Sequence, residues 1–185
     1  LAMLGRSMLG RGELADRTVV ATVMSNLGLD RAVREAGGKV VRVAVGDRYV
    51  VERMRQDGLS LGGEQSGHVI LRDLTTTGDG LVTALAVLGI MAETGAPLGE
   101  LAACMPRFPQ VLLNIDVPRK PPLDELPAVG AAIEAVEAEL GEDGRVLVRY
   151  SGTQMCARVM VEGPEQGLIE EAAARIAGAL AASLG

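Results

Sequence analysis

The sequence predicts an α/β chain in two parts: a parallel-type α/β/α domain over residues 1–107, then a small two-layer α+β domain with an antiparallel sheet over residues 108–185. Three observations carry that prediction. Between Thr18 and Arg55 strand-like and helix-like patterns alternate, the order of a parallel sheet with crossover helices. Pro106-Arg107-Phe108-Pro109 then stiffens the chain with two prolines, which is where a domain boundary is expected. Beyond it two strand-like runs follow each other at 145–150 and 157–162, with helical patterns on either side.

Leu1 to Leu9 has helical apolar spacing. Thr18 to Val23 is a continuous β-rich run, suited to a strand covered on both faces. Asn26 can cap the helix that follows, and Gly37-Gly38 ends it. Val40 to Val45 is the next strand. Gly46-Asp47 opens an amphipathic helix with Tyr49, Val50 and Met54 on one side and Glu52, Arg53 and Arg55 on the other. Leu59–Leu61 and Val69–Leu71 read as short strands. Asp79 reads as the N-terminal cap of a helix running to about Thr94, and the apolar stretch Leu81 to Ala92 reads as a buried helix. A short helix spans Leu98 to Cys104. The second part reads as strand 110–117, helix 123–140, strands 145–150 and 157–162, and helix 165–183, with Glu134, Glu137 and Glu139 on a solvated face.

Composition narrows the partners. Apolar residues make up 48% of the chain and aromatics only 2%, so the cores must be built from Ala, Val, Leu, Ile and Met. A net charge of −6 with very few lysines argues against a nucleic-acid partner. No apolar run reaches the ~18 residues of a membrane-spanning helix, so no membrane span is expected. Cys104 and Cys156 stand far apart with no metal-ligand spacing, and reduced thiols are the default.

The most informative stretch is Arg149-Tyr150-Ser151-Gly152-Thr153, closed five residues later by Arg158. It joins the strands around Val146-Leu147-Val148 and Val159-Met160-Val161. Ser-Gly-Thr alone reads as a tight hairpin whose hydroxyls serve turn geometry. Two bracketing arginines in an acidic protein change that reading to an anion site. Guanidinium groups supply bidentate donors to phosphate, and Gly152 lets backbone N–H groups approach closely.

A second cluster is Gly62-Gly63-Glu64-Gln65-Ser66-Gly67-His68. Glu64, Ser66 and His68 alternate, so an extended segment would point all three to one side. A carboxylate, a hydroxyl and an imidazole there can hydrogen-bond vicinal hydroxyls, or an amine, on a sugar ring. His68 is the only histidine; a lone histidine is more often structural or incidental than catalytic, and its place directly after Glu-x-Ser-Gly brings the two readings level. Asp47 and Arg48 follow a strand's carboxyl end, where ligands gather in such sheets; Asp47 reads equally as a helix cap and Arg48 as a surface charge. Cys156, beside the arginine loop, has no base at hand and reads as structural.

These motifs carry a resemblance. Thr22-Val23-Met24-Ser25-Asn26-Leu27-Gly28, Val45-Gly46-Asp47-Arg48-Tyr49-Val50, Gly62 to His68, Thr76-Thr77-Gly78-Asp79-Gly80, and Arg149-x-Ser151-Gly152-Thr153 with Arg158-Val159-Met160 stand in one order over residues 22 to 162. In that order they resemble the C-terminal part of the α-D-phosphohexomutase superfamily, and the first three favour its bacterial phosphoglucosamine mutase branch. The resemblance implies most of domain 3 (1–107, sugar recognition, incomplete at its N-terminus) and all of domain 4 (108–185, phosphate binding) of a four-domain enzyme. The phosphoserine of such enzymes and their magnesium loop, Asp-x-Asp-x-Asp-Arg, match nothing in this sequence and are expected outside it.

The activity so implied is interconversion of glucosamine 6-phosphate and glucosamine 1-phosphate through a bisphosphorylated sugar. It implies a cytoplasmic, magnesium-dependent phosphoprotein of peptidoglycan-precursor synthesis, with any homodimer contacts outside these residues. Arg149, Ser151, Gly152, Thr153 and Arg158 are expected to bind phosphate. Asp47, Arg48, Glu64 and Ser66 are expected to contact substrate, and His68 is the candidate general base; Glu64 can meet either hydroxyls or the 2-amino group. The alternatives are a phosphomannomutase or phosphoglucomutase of the same superfamily, or a non-catalytic sugar-phosphate binding module. One departure stands out: family loops often continue Thr-Glu-Pro, whereas this one reads Thr153-Gln154-Met155.

Overall fold

Strand β1, Thr18–Thr22, is buried at every position, as a β-rich run covered on both faces should be. It pairs in parallel with β2 (Lys39–Val43) and with β3 (Leu61–Gly63). A fourth strand, β4 (Val69–Leu71), pairs with β3 in the opposite sense, giving the order β2-β1-β3-β4. The expected parallel arrangement holds for β1, β2 and β3, and β4 joins the sheet as an antiparallel edge. Only residues 64–68 separate β3 from β4, far fewer than the dozen or so a parallel crossover needs.

The computed structural model describes residues 1–185 as two units, Leu1–Arg107 and Phe108–Gly185. In the first, α1 (Ala2–Arg11), α2 (Leu27–Glu35) and α4 (Gly80–Thr94) pack with Val19, Ala21, Leu61, Val69 and Leu71 on one side of the sheet. On the other side α3 (Asp47–Gln56) packs Val50 and Met54 against Val20 and Ile70. This is an α/β/α sandwich, closed at its end by the short α5 (Leu98–Ala102). Leu61 has no exposed surface, so truncating it to alanine is expected to cost ~2–5 kcal/mol.

The helix starts follow local chemistry. Asn26 Oδ1 accepts the Gly28 N–H at 3.0 Å and Asp79 Oδ1 accepts those of Leu81 and Val82 at 2.8 and 2.9 Å, each satisfying donors that a helix N-terminus leaves open. Asp79 is thus the plain cap its position suggested. The burial expected for Leu81 to Ala92 is wrong. Within α4 only Ile90 is buried, while Leu81, Leu85 and Leu88 are 71, 60 and 56% exposed. They recur at helical spacing on the side away from the sheet, and the first unit has no element there to cover them.

The second unit is one antiparallel sheet with helices on one face. Its strands are β5 (Gln110–Asp116), β6 (Arg145–Tyr150) and β7 (Cys156–Glu162), in the order β5-β7-β6. Helices α6 (Pro127–Leu140) and α7 (Gln166–Leu184) cover Val111, Leu113, Ile115, Val146, Val148, Val159 and Val161. The helix expected from residue 123 begins at 127 instead. Residues 123–125 form a single 3-10 turn, and Pro127 takes the first helical position, where its missing N–H is harmless. Because side chains alternate along a strand, residues 110, 112, 114 and 116, with their partners on β7 and β6, face away from the helices.

Candidate functional site

On that helix-free face, Arg149 of β6 and Arg158 of β7 are direct cross-strand partners. Opposed side chains lie ~4.5–5.5 Å apart at Cβ, and two like charges so placed repel each other. Asn114 of β5 is the partner of Arg158 on its other side, so Asn114, Arg158 and Arg149 form one row across the sheet. Arg158 Nε is buried without a hydrogen-bond partner. Its Nη2 donates to Gln154 Oε1 at 3.3 Å, the one side-chain bond holding that guanidinium.

The loop between the two strands turns tightly at this row. Ser151 N–H donates to Cys156 O at 2.9 Å, and Gln154 N–H donates to Ser151 Oγ at 3.2 Å. Ser151 is buried, and its hydroxyl donates to no group of the chain. The N–H groups of Gly152 and Thr153 have no partner within the chain. Two guanidinium groups, a hydroxyl and unengaged backbone donors thus stand within one hairpin, a donor set suited to a phosphate dianion. Gln154, the departure from Thr-Glu-Pro, braces the loop twice: its N–H binds Ser151 and its side chain binds Arg158.

Two polar residues near this row were missed by the motif reading, Asn114 and Lys120. Asn114 could have been found from the alternation of Gln110, Leu112 and Asn114, but only the register shows what it faces. Lys120, one of only two lysines, donates from Nζ to Ser151 O at 2.5 Å. Cys156 is buried and unpaired, as its lack of an activating base suggested.

In the first unit, the carboxyl ends of β1, β2 and β3 lie side by side, and three loops gather there. Arg42 ties the loop after β1, donating from Nη1 to Thr22 O at 3.0 Å and to Ser25 O at 2.8 Å. Its fork also pairs with the Asp30 carboxylate, so the loop Val23–Asn26 is pinned by a largely buried cation. The loop after β2 meets the loop after β3: Gly46 N–H donates to Glu64 Oε1 at 3.0 Å. Gln65 Oε1 accepts the Thr22 hydroxyl at 3.0 Å. Ser25, Asn26, Glu64, Gln65, Gly67 and Arg107 line an open cleft at this edge.

The segment Glu64–His68 is not extended, contrary to the alternation expected of it. Glu64 N–H donates to His68 O at 2.9 Å, Gly67 N–H donates to Glu64 O at 3.2 Å, and Gly67 has φ +95°. The chain reverses there, at a backbone angle that favours glycine, because β3 must turn directly into antiparallel β4. Glu64 and His68 nonetheless come together, with Glu64 Oε2 4.0 Å from His68 Nδ1. Glu64 is 14% exposed at its side chain and His68 42%. Ser66 stands exposed at the turn with no partner. Gly78 holds the imidazole in place: a Cβ there would fall 1.9 Å from His68 Cδ2.

Asp47 and Arg48 sit at the start of α3, next to Gly46. Asp47 Oδ1 accepts the Arg48 N–H at 2.7 Å. The Arg48 guanidinium lies 4.5 Å from the Tyr49 ring centre and donates to its hydroxyl at 2.5 Å. No three His, Cys, Asp or Glu residues gather into a metal-binding group, so the chain's residues do not fit a magnesium site of their own. No helix is long and apolar enough to cross a membrane.

Comparison with known proteins accounts for both units. Residues 1–108 match the family model of the phosphoglucomutase/phosphomannomutase alpha/beta/alpha domain III, and residues 112–179 match that of its C-terminal domain. The phosphoglucosamine mutase of Anaeromyxobacter dehalogenans is 56% identical over all of this chain, and that of Frankia alni 55%. The chain spans about two-fifths of the length of these relatives, 40% in each case. Among solved structures, the N-acetylphosphoglucosamine mutase of Aspergillus fumigatus superposes with a TM-score of 0.81 at 20% identity, over 99% of this chain and 43% of that one. A second structure of that enzyme, with GlcNAc-6P and magnesium, gives 0.75 at 18% identity over 100% and 43%.

Proposed function

Because the chain belongs to the phosphoglucomutase/phosphomannomutase family, we propose that it forms the sugar- and phosphate-recognising part of a phosphoglucosamine mutase. The reaction on this reading interconverts glucosamine 6-phosphate and glucosamine 1-phosphate through a bisphosphorylated sugar. The phosphoserine and the magnesium come from residues other than these. The same reading makes the whole enzyme a cytoplasmic phosphoprotein of peptidoglycan-precursor synthesis.

The observation that carries the proposal is the opposition of Arg149 and Arg158. Two adjacent guanidinium groups with few internal partners favour a dianion between them. Ser151, Gly152 and Thr153 add a hydroxyl donor and two free N–H groups, and the loop holds the phosphate that does not react. In the first unit, Glu64 reads a sugar hydroxyl or the 2-amino group through Oε2, since Oε1 is held by Gly46. His68, whose Nδ1 lies 4.0 Å from Glu64 Oε2, is the general base on this reading and accepts the proton of an attacking hydroxyl. Asp47, Arg48 and Ser66 edge the same loops and extend the contacts to the sugar phosphate.

Titration calorimetry with glucosamine 6-phosphate tests the phosphate reading: Arg149→Ala should abolish measurable heat, and unchanged affinity overturns it. In the full-length polypeptide, His68→Ala should lower kcat more than it raises KM, while Glu64→Ala should raise KM. Wild-type kinetics in both would remove these roles. A binding module without turnover is the competing outcome, met if the full-length polypeptide binds the sugar phosphate and never isomerises it.

A further inference from the structure

We propose that Lys120 is a third cation of the phosphate site and sets the position of its loop; the inference rests on the phosphate reading above. The segment after β5 clasps the loop at both ends. Val117 N–H donates to Met155 O at 3.0 Å, and Lys120 Nζ donates to Ser151 O at 2.5 Å. Pro118, Pro121 and Pro122 surround Lys120. A residue followed by proline is confined to extended conformations, so the lysine arrives on a stiff strap with little freedom left to lose.

An ammonium group has three N–H donors, and the carbonyl of Ser151 takes one. Two remain unengaged on the side of the loop that the Ser151 carbonyl faces. Asp116, the nearest carboxylate along β5, forms no ion pair with Lys120, Arg149 or Arg158. The positive charge at the loop is therefore left for a ligand. A phosphate monoester dianion at this loop can take an ammonium donor of Lys120 in addition to the forks of the paired arginines.

The test compares Lys120→Met, Lys120→Arg and Arg149→Ala in this chain, using glucose 1,6-bisphosphate as the probe. Affinity is measured at several salt concentrations, and melting temperature alongside. Lys120→Met should weaken binding about tenfold, the scale of one charge-assisted hydrogen bond. Its affinity should also depend less on salt, because one fewer charge is screened. Lys120→Arg should recover most of the affinity. If Arg149→Ala loses binding while Lys120→Met keeps wild-type affinity and salt dependence, whatever its melting temperature, the lysine is a strap only and the proposal fails. If Arg149→Ala also binds normally, the underlying phosphate reading fails instead.

Discussion

Arg149 and Arg158 face each other across adjacent strands, a pairing of like charges that costs stability until an anion bridges it. Arg149→Ala should therefore leave the ligand-free chain as stable as before or more stable, by up to about 1 kcal/mol. The wild-type chain should melt higher in phosphate, because phosphate binds only the folded state, and the variant should lose that increment. A variant that melts lower without phosphate, and still gains from it, would contradict both halves.

Asn114 completes the row on the other side of Arg158, and it is neutral. Asn114→Asp places a carboxylate where it can satisfy Arg158 internally. The variant should be stabilised by a few tenths to about 1 kcal/mol without ligand. It should also bind phosphate more weakly, since the new carboxylate competes for the guanidinium. Denaturant unfolding and phosphate titration of the same sample give the two readouts, and equal or tighter phosphate binding would dispose of the idea.

Gly78 has room for no side chain because His68 occupies it. Gly78→Ala should destabilise the chain by ~1–3 kcal/mol, as overpacking does. It should also move the imidazole resonances of His68. In a background of His68→Ala the same change should cost nearly nothing, which a double-mutant cycle would read as strong coupling. Additive effects would mean that the glycine is needed for another reason.

Tyr150 has a buried hydroxyl with no partner, and its burial raises the phenol's pKa above the ordinary 10.0. Tyr150→Phe removes an unsatisfied group, so at neutral pH the variant should equal or exceed the parent, by up to ~1 kcal/mol. The pH dependence follows from the direction of the shift. Above pH 10 the unfolded chain releases this proton while the folded chain keeps it, so stability falls as pH rises. Melting curves from pH 8 to 11.5 should show a shallower alkaline loss in the phenylalanine variant, and parallel curves would refute the assignment.

Much of the fold was legible because local chemistry and global packing agree. The run from Thr18 needed burial on both faces and received it. Asn26 and Asp79 cap the helices their positions implied. The arginine loop was legible too, since its chemistry lies within ten residues of chain, and the hairpin places both guanidinium groups on one face. Two expectations failed where they depended on neighbours. The outer leucines of α4 are exposed because burial is a property of what packs against a helix, which its own pattern cannot state. Glu64–His68 turns back instead of extending, because the short link to an antiparallel partner governs the backbone more strongly than side-chain alternation does.

The sequence by itself determined most of the elements, the caps at Asn26 and Asp79, the choice of Val, Leu and Ala cores, and the residue types of the anion loop. All of these follow from short-range rules of backbone geometry and burial. Only the tertiary structure decided which groups meet: Arg158 against Arg149 and Asn114, Lys120 on the carbonyl of Ser151, Glu64 on the N–H of Gly46, and His68 against Gly78. Each of these meetings joins residues brought together by strand register or by neighbouring strand ends. Register is set by the sum of many pairings across a sheet, so no single stretch of sequence contains it.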